Sequence, residues 1–236
     1  PKLRRDPANY LGYIEVHIEQ GPVLNEMCLP LAAVTSINAS SRYQCAITGM
    51  ASHAGTTPMD RRRDAAAGAA ELLLYMEERA ARDGDSVVTM GMLQVPSGSV
   101  NVVPGRCEFS LDMRAPSNAQ RDALVADILK KLDDTCQRRG LQYVAERSMQ
   151  ASCAPSDPAL QSRWEAAVQS LGLPVHRMPS GAGHDAMKIH QMLPQAMLFV
   201  RGENSGISHN PLESSTADDL QLAVEAYSHV LNQLAQ

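Results

Sequence analysis

Several things are scarce or missing in this sequence. Aromatic residues make up only 4% of its 236 residues, so Leu, Val, Ala and Met must fill the interior. No apolar run is long enough to cross a bilayer, and there is no signal-peptide pattern. Positive charge is not in excess: the net charge is −5, which excludes a general attraction to nucleic acid or to an anionic membrane. The one basic run, Arg61-Arg62-Arg63, is bracketed by Asp60 and Asp64 and reads as a solvated helix start. The five cysteines are odd in number and none are closely spaced. That argues against a disulfide framework or a zinc knuckle and fits a reducing cytoplasm. No Gly-x-Ser-x-Gly elbow supports a serine hydrolase, and no cysteine sits in an activating setting. The glycines at 181–183 are not followed by Gly-Lys-Ser/Thr, so they do not form a phosphate loop. The chain starts at Pro1, with Lys2, Arg4, Arg5 and Asp6 close behind, which reads as a cut inside a longer protein.

What remains is an ordinary globular composition. The hydrophobic fraction is 44%, and this length supports one or two domains with a real core. The twelve methionines suit irregular packing. Residues 6–11 read as the tail of a helix. Tyr13 to Ile18 alternates as a half-buried strand and is stopped by Gly21-Pro22. Residues 23–29 read as a loop or short helix, and Leu31 to Ile37 as a strand.

From about residue 40 the pattern becomes regular. Arg42–Thr48 predicts a strand, Ser52–Asp60 a loop, and Arg63–Arg82 an Ala-rich helix ended by Asp83-Gly84. Ser86–Val95 and Arg106–Arg114 predict strands, with a short extended piece at 101–105 between them. Asn118–Arg139 predicts an amphipathic helix closed by Gly140, and Leu141–Ser148 a last strand. In order this is βαββαβ, the ferredoxin-like arrangement. Beyond residue 150 the pattern predicts a helix at 157–171, a strand at 173–177 and a glycine-rich loop at 180–185. A helical turn at 186–190, a strand at 195–201, a long loop and a helix at 216–233 follow. The segment 39–150 therefore reads as a domain inserted between 1–38 and 151–236.

Seven histidines are present. His229 in the last helix, His176 in a short strand and His190 read as structural. His17, His53, His184 and His209 lie in loops or at strand ends beside Gly, Ser, Asn or Pro, where scaffolds present functional groups. His17 and His209 can each give an imidazole nitrogen to a divalent metal, although zinc ordinarily takes at least three protein ligands. On pattern alone, a satisfied strand-end histidine explains either one as well. Arg114 can hold a carboxylate in a bidentate fork and Asn101 can add a directed hydrogen bond. A surface arginine and a turn asparagine are the plainer alternatives. The pair His184-Asp185 can also arise by chance in a glycine-rich turn.

Five stretches occur in order: His17-Ile18-Glu19-Gln20-Gly21-Pro22, Ser52-His53-Ala54-Gly55-Thr56-Thr57-Pro58-Met59, Asn101-Val102-Val103-Pro104-Gly105, Ser180-Gly181-Ala182-Gly183-His184-Asp185-Ala186 and Ser208-His209-Asn210-Pro211. Together they resemble the hydantoinase/carbamoylase family of binuclear metal amidohydrolases, within the aminoacylase and zinc-exopeptidase group. The resemblance implies a zinc-peptidase-like α/β catalytic domain with an inserted lid domain that dimerises. It implies two divalent ions, Zn or Mn, with Co and Ni also suited, and His17 and His209 as a ligand of each. Gln20, His53, Asn101, Arg114, Gly183 and His184 then become substrate-binding residues, with Arg114 on the carboxylate and His53 also steadying an oxyanion. The implied substrate is a small carboxylate bearing a ureido group, an N-carbamoyl-L-amino acid or alternatively allantoate. Nucleic acid and membrane are not implied partners. Family members also carry an N-terminal half with further ligands and a Glu base, for which this chain has no counterpart. A rival reading follows, in which the chain alone is a non-catalytic dimerising or ligand-binding piece.

Overall fold

The computed structural model describes residues 5–235, so Lys2 and Arg4 of the basic start lie outside the described residues. Asp6 caps a single 3-10 turn at Pro7–Asn9 by accepting from the Ala8 N–H, and no longer helix forms there. Pro7 lacks the donor that a helix interior needs. The first strand, β1 (Tyr13–Ile18), is half-buried along its whole length. A one-turn helix, α1 (Val23–Glu26), follows. Glu19 caps it, with one carboxylate oxygen accepting from Val23 N and the other from Leu24 N. Then comes β2 (Leu31–Ile37). The chain divides into two compact units, the first made of 1–38 and 153–236, the second of 39–152.

In the second unit β3 (Ala39–Thr48) leads to the two-residue β4 (Ser52–His53) and the helix α2 (Ala65–Ala81). Asp64 caps α2 by accepting from Ala66 and Ala67. The stretch predicted as one strand at 86–95 is two, β5 (Val87–Thr89) and β6 (Leu93–Gln94). Between them the Ser110 hydroxyl accepts from Met92 N, replacing a ladder bond beside Gly91. Next are β7 (Val102–Val103), β8 (Arg106–Ala115), α3 (Asn118–Arg139) and β9 (Gln142–Ala151). Ser117 caps the start of α3, and Gly140 ends it in the left-handed region at φ 64°.

The sheet order is β5-β8-β3-β9, all antiparallel, with β6 also on β8. Alternate residues of β3 and β8, among them Ile47, Phe109 and Met113, face Leu72, Met76, Leu124, Ile128 and Leu132 of the two helices. Each such large side chain contributes about 1.5–3 kcal/mol by leaving water. Glu71 of α2 ties the helix pair together by accepting from Lys131, Arg138, Arg139 and Thr135 of α3.

The chain re-enters the first unit at β10 (Ala154–Pro155) and continues into α4 (Pro158–Ser170), capped by Asp157. The strand predicted at 173–177 begins instead where it was expected to end, as β11 (Arg177–Ser180). Pro174 has no N–H to give a ladder, and His176 therefore lies before the strand, its carbonyl accepting from Ala33 N. A short helix, α5 (Asp185–Ile189), is followed by β12 (Gln195–Val200) and α6 (Ala217–Leu234), capped by Thr216.

The sheet of this unit runs β1-β12-β2-β10, with β11 also on β2. β12 is buried at all six positions because both faces are covered. Ala196, Leu198 and Val200, with Ile14 and Val16, face α4 and α6 around Trp164, Ala167, Ala226 and Val230. Met197 and Phe199, with Tyr13, face the other way against Leu24, Ile37 and Ala186. Departure and return of the chain are neighbours in each unit: Ile37 pairs with Ala154 in the first, and Ser40 with Ala151 in the second. The described residues contain no helix long and apolar enough to cross a membrane.

Candidate active site

β1 and β12 are parallel, with His17 opposite Phe199. Glu15 and His17 are two apart on β1, so they share the face that turns away from α4 and α6. The His17 ring is fixed by its own backbone, with Nδ1 2.8 Å from the Ile18 carbonyl oxygen. That oxygen can only accept, so Nδ1 carries the proton and Nε2 keeps its lone pair. This is the arrangement a metal-ligating imidazole requires.

The loop bearing His209 is joined directly to the loop after β1. Gly206 sits at φ +66°, and a Cβ there would lie 1.6 Å from the Gly21 carbonyl oxygen. Only glycine allows that approach. Across the same junction Gln20 Nε2 donates to Ser208 Oγ at 2.9 Å, linking residues 188 positions apart. Ser208 Oγ donates in turn to Glu213 at 2.5 Å, and the same carboxylate oxygen accepts from His209 N at 2.9 Å. The Ser208 hydroxyl and then the His209 N–H hold the Glu213 carboxyl below the usual carboxylate range. Gln20 and His209 both adopt left-handed backbones, at φ 60° and 58°. Such strain in non-glycine residues persists only where neighbours over-determine it. Here Glu213 supplies part of that constraint at His209.

The glycine-rich loop divides into an exposed part and a buried part. Gly183 is exposed, with nothing within 4 Å of where a Cβ would stand. His184 is different: its side chain is 1% exposed. The sequence assigned it to substrate, but the structure turns it inward. Its ring lies edge-on to His17 at 4.6 Å between centroids and 5.7 Å from the Phe199 ring. Burial first, then the nearby His17, pushes its pKa down to about 4, so it is neutral at pH 7. Ser180 Oγ lies 2.8 Å from its Nε2, and Glu15 Oε1 is 3.9 Å from its Nδ1.

In the second unit β4 pairs with β7, setting His53 opposite Val102, and Ala54 N donates to the Asn101 carbonyl. The His53 and Asn101 stretches are therefore neighbours. Gly55 N donates to His53 Nδ1 at 3.1 Å. Nδ1 is thus the acceptor, and a neutral His53 carries its proton on Nε2. Arg62 braces this loop by donating to the Ala54 and Thr57 carbonyls at 2.6 and 3.1 Å, so it is not simply part of a solvated basic run. Asn101 Oδ1 accepts from Ser99 Oγ at 2.9 Å. Arg114, on β8, donates from Nε and Nη2 to both oxygens of Asp112, at 3.0 and 2.8 Å. Arg42 donates to the same carboxylate at 3.0 Å.

Among the described residues no three His, Cys, Asp or Glu side chains converge as a metal site. The fit to a metal is therefore partial. His17 has the tautomer of a ligand, and His209 has the strained backbone of a presented residue. Glu19 is spent on capping α1 and is 7% exposed. The sequence reading missed Glu15, Ser180, Ser208, Asp112 and Arg42. Strand alternation was the available signal for two of them, since Glu15–His17 and Asp112–Arg114 are both i,i+2 pairs.

The family model for peptidase family M20/M25/M40 matches residues 3–233. An N-carbamoyl-L-amino acid amidohydrolase of Geobacillus stearothermophilus is 38% identical, over 100% of this chain and 58% of its own length. An allantoate deiminase of Arabidopsis thaliana is 35% identical, over 94% of this chain and 47% of its own. A solved hydantoinase/carbamoylase-family amidase from Burkholderia phymatum superposes with a TM-score of 0.90 at 29% identity, over 100% of this chain and 57% of that one. The chain spans about half the length of the curated relatives it matches. It shares their mixed α/β fold, and it belongs to peptidase family M20/M25/M40.

Proposed function

We propose that this chain serves metal-dependent hydrolysis of the carbamoyl C–N bond of N-carbamoyl-L-amino acids, giving amino acid, CO2 and ammonia. The observation that carries the reading is His17, whose proton is tied to the Ile18 carbonyl so that Nε2 is left for a metal. His17 and His209 would each hold one of two divalent ions, Zn or Mn, with Co and Ni also suited. Such ions polarise a carbonyl and lower the pKa of water. This chain alone supplies one ligand to each, and the two carboxylates beside them in sequence are engaged, Glu19 with Val23 and Leu24 N–H and Glu213 with Ser208 and His209.

Within the first unit, Gln20 contacts the carbamoyl end of the substrate, and the open backbone at Gly183 lines its pocket. Within the second, Arg114 pairs with the substrate carboxylate while Asp112 holds its Nε and Nη2, and Asn101 adds a hydrogen bond. His53 gives its Nε2–H to the developing oxyanion, a preorganised donor that costs no rearrangement during reaction. The second unit also acts as a lid and forms a homodimer. Exposed Tyr143 and Val144 on β9, which pairs only with β3 among the described residues, support that role. A reducing cytoplasm suits its five free cysteines.

Allantoate is the second reading, favoured by the similarity to allantoate deiminases. It offers the same ureido and carboxylate groups. Ammonia release from each compound, with Zn or Mn supplied, separates the two. Metal content after dialysis tests the site itself, and a chain that retains two tight ions unaided would contradict the assignment of one ligand per metal.

A further inference from the structure

We infer that His184 is a positioning residue that holds the His17 ring in its ligating orientation, and that Ser180 anchors it there. The inference rests on the reading of His17 as a metal ligand. Its basis is a set of contacts on one face of the β1–β12 pair. His184 meets two rings that sit opposite each other in register, His17 at 4.6 Å and Phe199 at 5.7 Å. The 64° angle between the His17 and His184 planes is an edge contact, a favoured geometry for paired rings.

A buried apolar ring would fill the same space, so the choice of imidazole needs a reason. Ser180 Oγ donates to the Ala182 carbonyl at 3.0 Å. A hydroxyl has one proton, so its 2.8 Å contact with His184 Nε2 is made by the imidazole N–H donating to Ser180 Oγ. That bond stops the His184 ring from rotating about χ2, and phenylalanine has no such anchor. Ser180 is itself fully buried at the end of β11. Glu15 completes the frame from the other side. Its Oε2 accepts from Ala186 N at 2.9 Å, drawing the residues after His184 onto β1 beside His17.

His17 therefore has two restraints of different kinds. The Ile18 carbonyl chooses which nitrogen bears the proton, and the His184 edge limits the swing of the ring. Releasing the second lets the ring tilt out of line with the first. Groups standing behind a metal ligand commonly matter by 10–100-fold in metal affinity.

The test uses the 236-residue chain and its His184→Ala and Ser180→Ala variants, with circular dichroism to confirm folding. Long-range 15N–1H spectra of the His17 imidazole, taken without metal, should show one Nδ1–H tautomer in the parent and a mixture in both variants. Cobalt(II) titration followed by its visible spectrum should show affinity weaker by about 10–100-fold in His184→Ala, with a smaller loss in Ser180→Ala. An unchanged His17 tautomer in the folded variants overturns the inference, as does unchanged cobalt affinity. Should His184→Ala not fold, Ser180→Ala decides by the same readouts. A parent whose His17 carries its proton on Nε2 contradicts the metal reading; where the chain, with one ligand per metal, takes up no cobalt, the metal-free tautomer measurement alone decides on His184.

Discussion

The backbone N–H of Gly55 donates to His53 Nδ1 at 3.1 Å, which gives His53 the tautomer opposite to that of His17. One histidine is left with a lone pair on Nε2, the other with a proton there. The same ring serves two chemistries because different backbone groups claim Nδ1.

Removing the donor at Gly55 should therefore alter His53 without touching its side chain. Gly55→Pro has no N–H, and His53 should then populate both tautomers in 15N–1H spectra. If His53 is the oxyanion donor, His53→Ala should lower kcat by about 100–1,000-fold with little change in stability, since the residue is exposed. A loss confined to KM would place His53 in ground-state binding only.

Asp112 should matter to substrate affinity without touching substrate. Burial opposes its ionisation, but Arg114 and Arg42 outweigh burial and keep its carboxyl below the usual range. Asp112→Asn retains the shape and removes the charge that aligns the Arg114 fork. The expected result is roughly tenfold weaker binding of an N-carbamoyl-L-amino acid by calorimetry, about 1.4 kcal/mol. Equal binding by parent and variant would show that Arg114 needs no such alignment.

Gly206→Ala is expected to be severe. It forces a left-handed backbone on a residue with a Cβ and drives that atom into the Gly21 carbonyl. The two effects together should cost about 2–5 kcal/mol, read from urea unfolding. Gly183→Ala has open space and should be nearly neutral by the same measurement.

Glu71 provides a pH test in the second unit. Its carboxyl is held at about 2, by Arg138 first and then Lys131 and Arg139, against burial. Its folded pKa is depressed, so its stabilising effect is full above the ordinary 4.5 and is lost as pH falls towards 2. Glu71→Gln should lower Tm by about 2–4 °C per kcal/mol lost at pH 7, and the gap should close between pH 4.5 and 2. A gap that persists at pH 2 would mean that shape, not charge, is what Glu71 contributes.

The sequence made the helices and the βαββαβ order legible because apolar periodicity and the stops at Gly84 and Gly140 marked them, and in the structure Asp64, Ser117, Asp157 and Thr216 cap their starts. It misplaced elements where one backbone group decided the matter, as at Gly91 beside Ser110 and at Pro174 before Arg177. Most candidate site residues came from recognisable stretches, although Ser180 and Ser208 went unread inside them and Arg114 was read outside them. The inward turn of His184 was not, because nothing local distinguishes a histidine facing a pocket from one wedged under a strand. Glu15, Ser180 and Asp112 lie at ordinary strand positions, and their partners are fixed only by folding.

The adjacent departure and return of the chain, Ile37 beside Ala154 and Ser40 beside Ala151, have a consequence for inheritance. A single in-frame excision of 39–152, with a short turn in its place, would leave the ends of the first unit already side by side. The reverse event needs no new strand order in the host. Such a junction makes the middle segment an exchangeable cassette, able to diverge in its outer surface and pairing apart from the unit that carries His17 and His209.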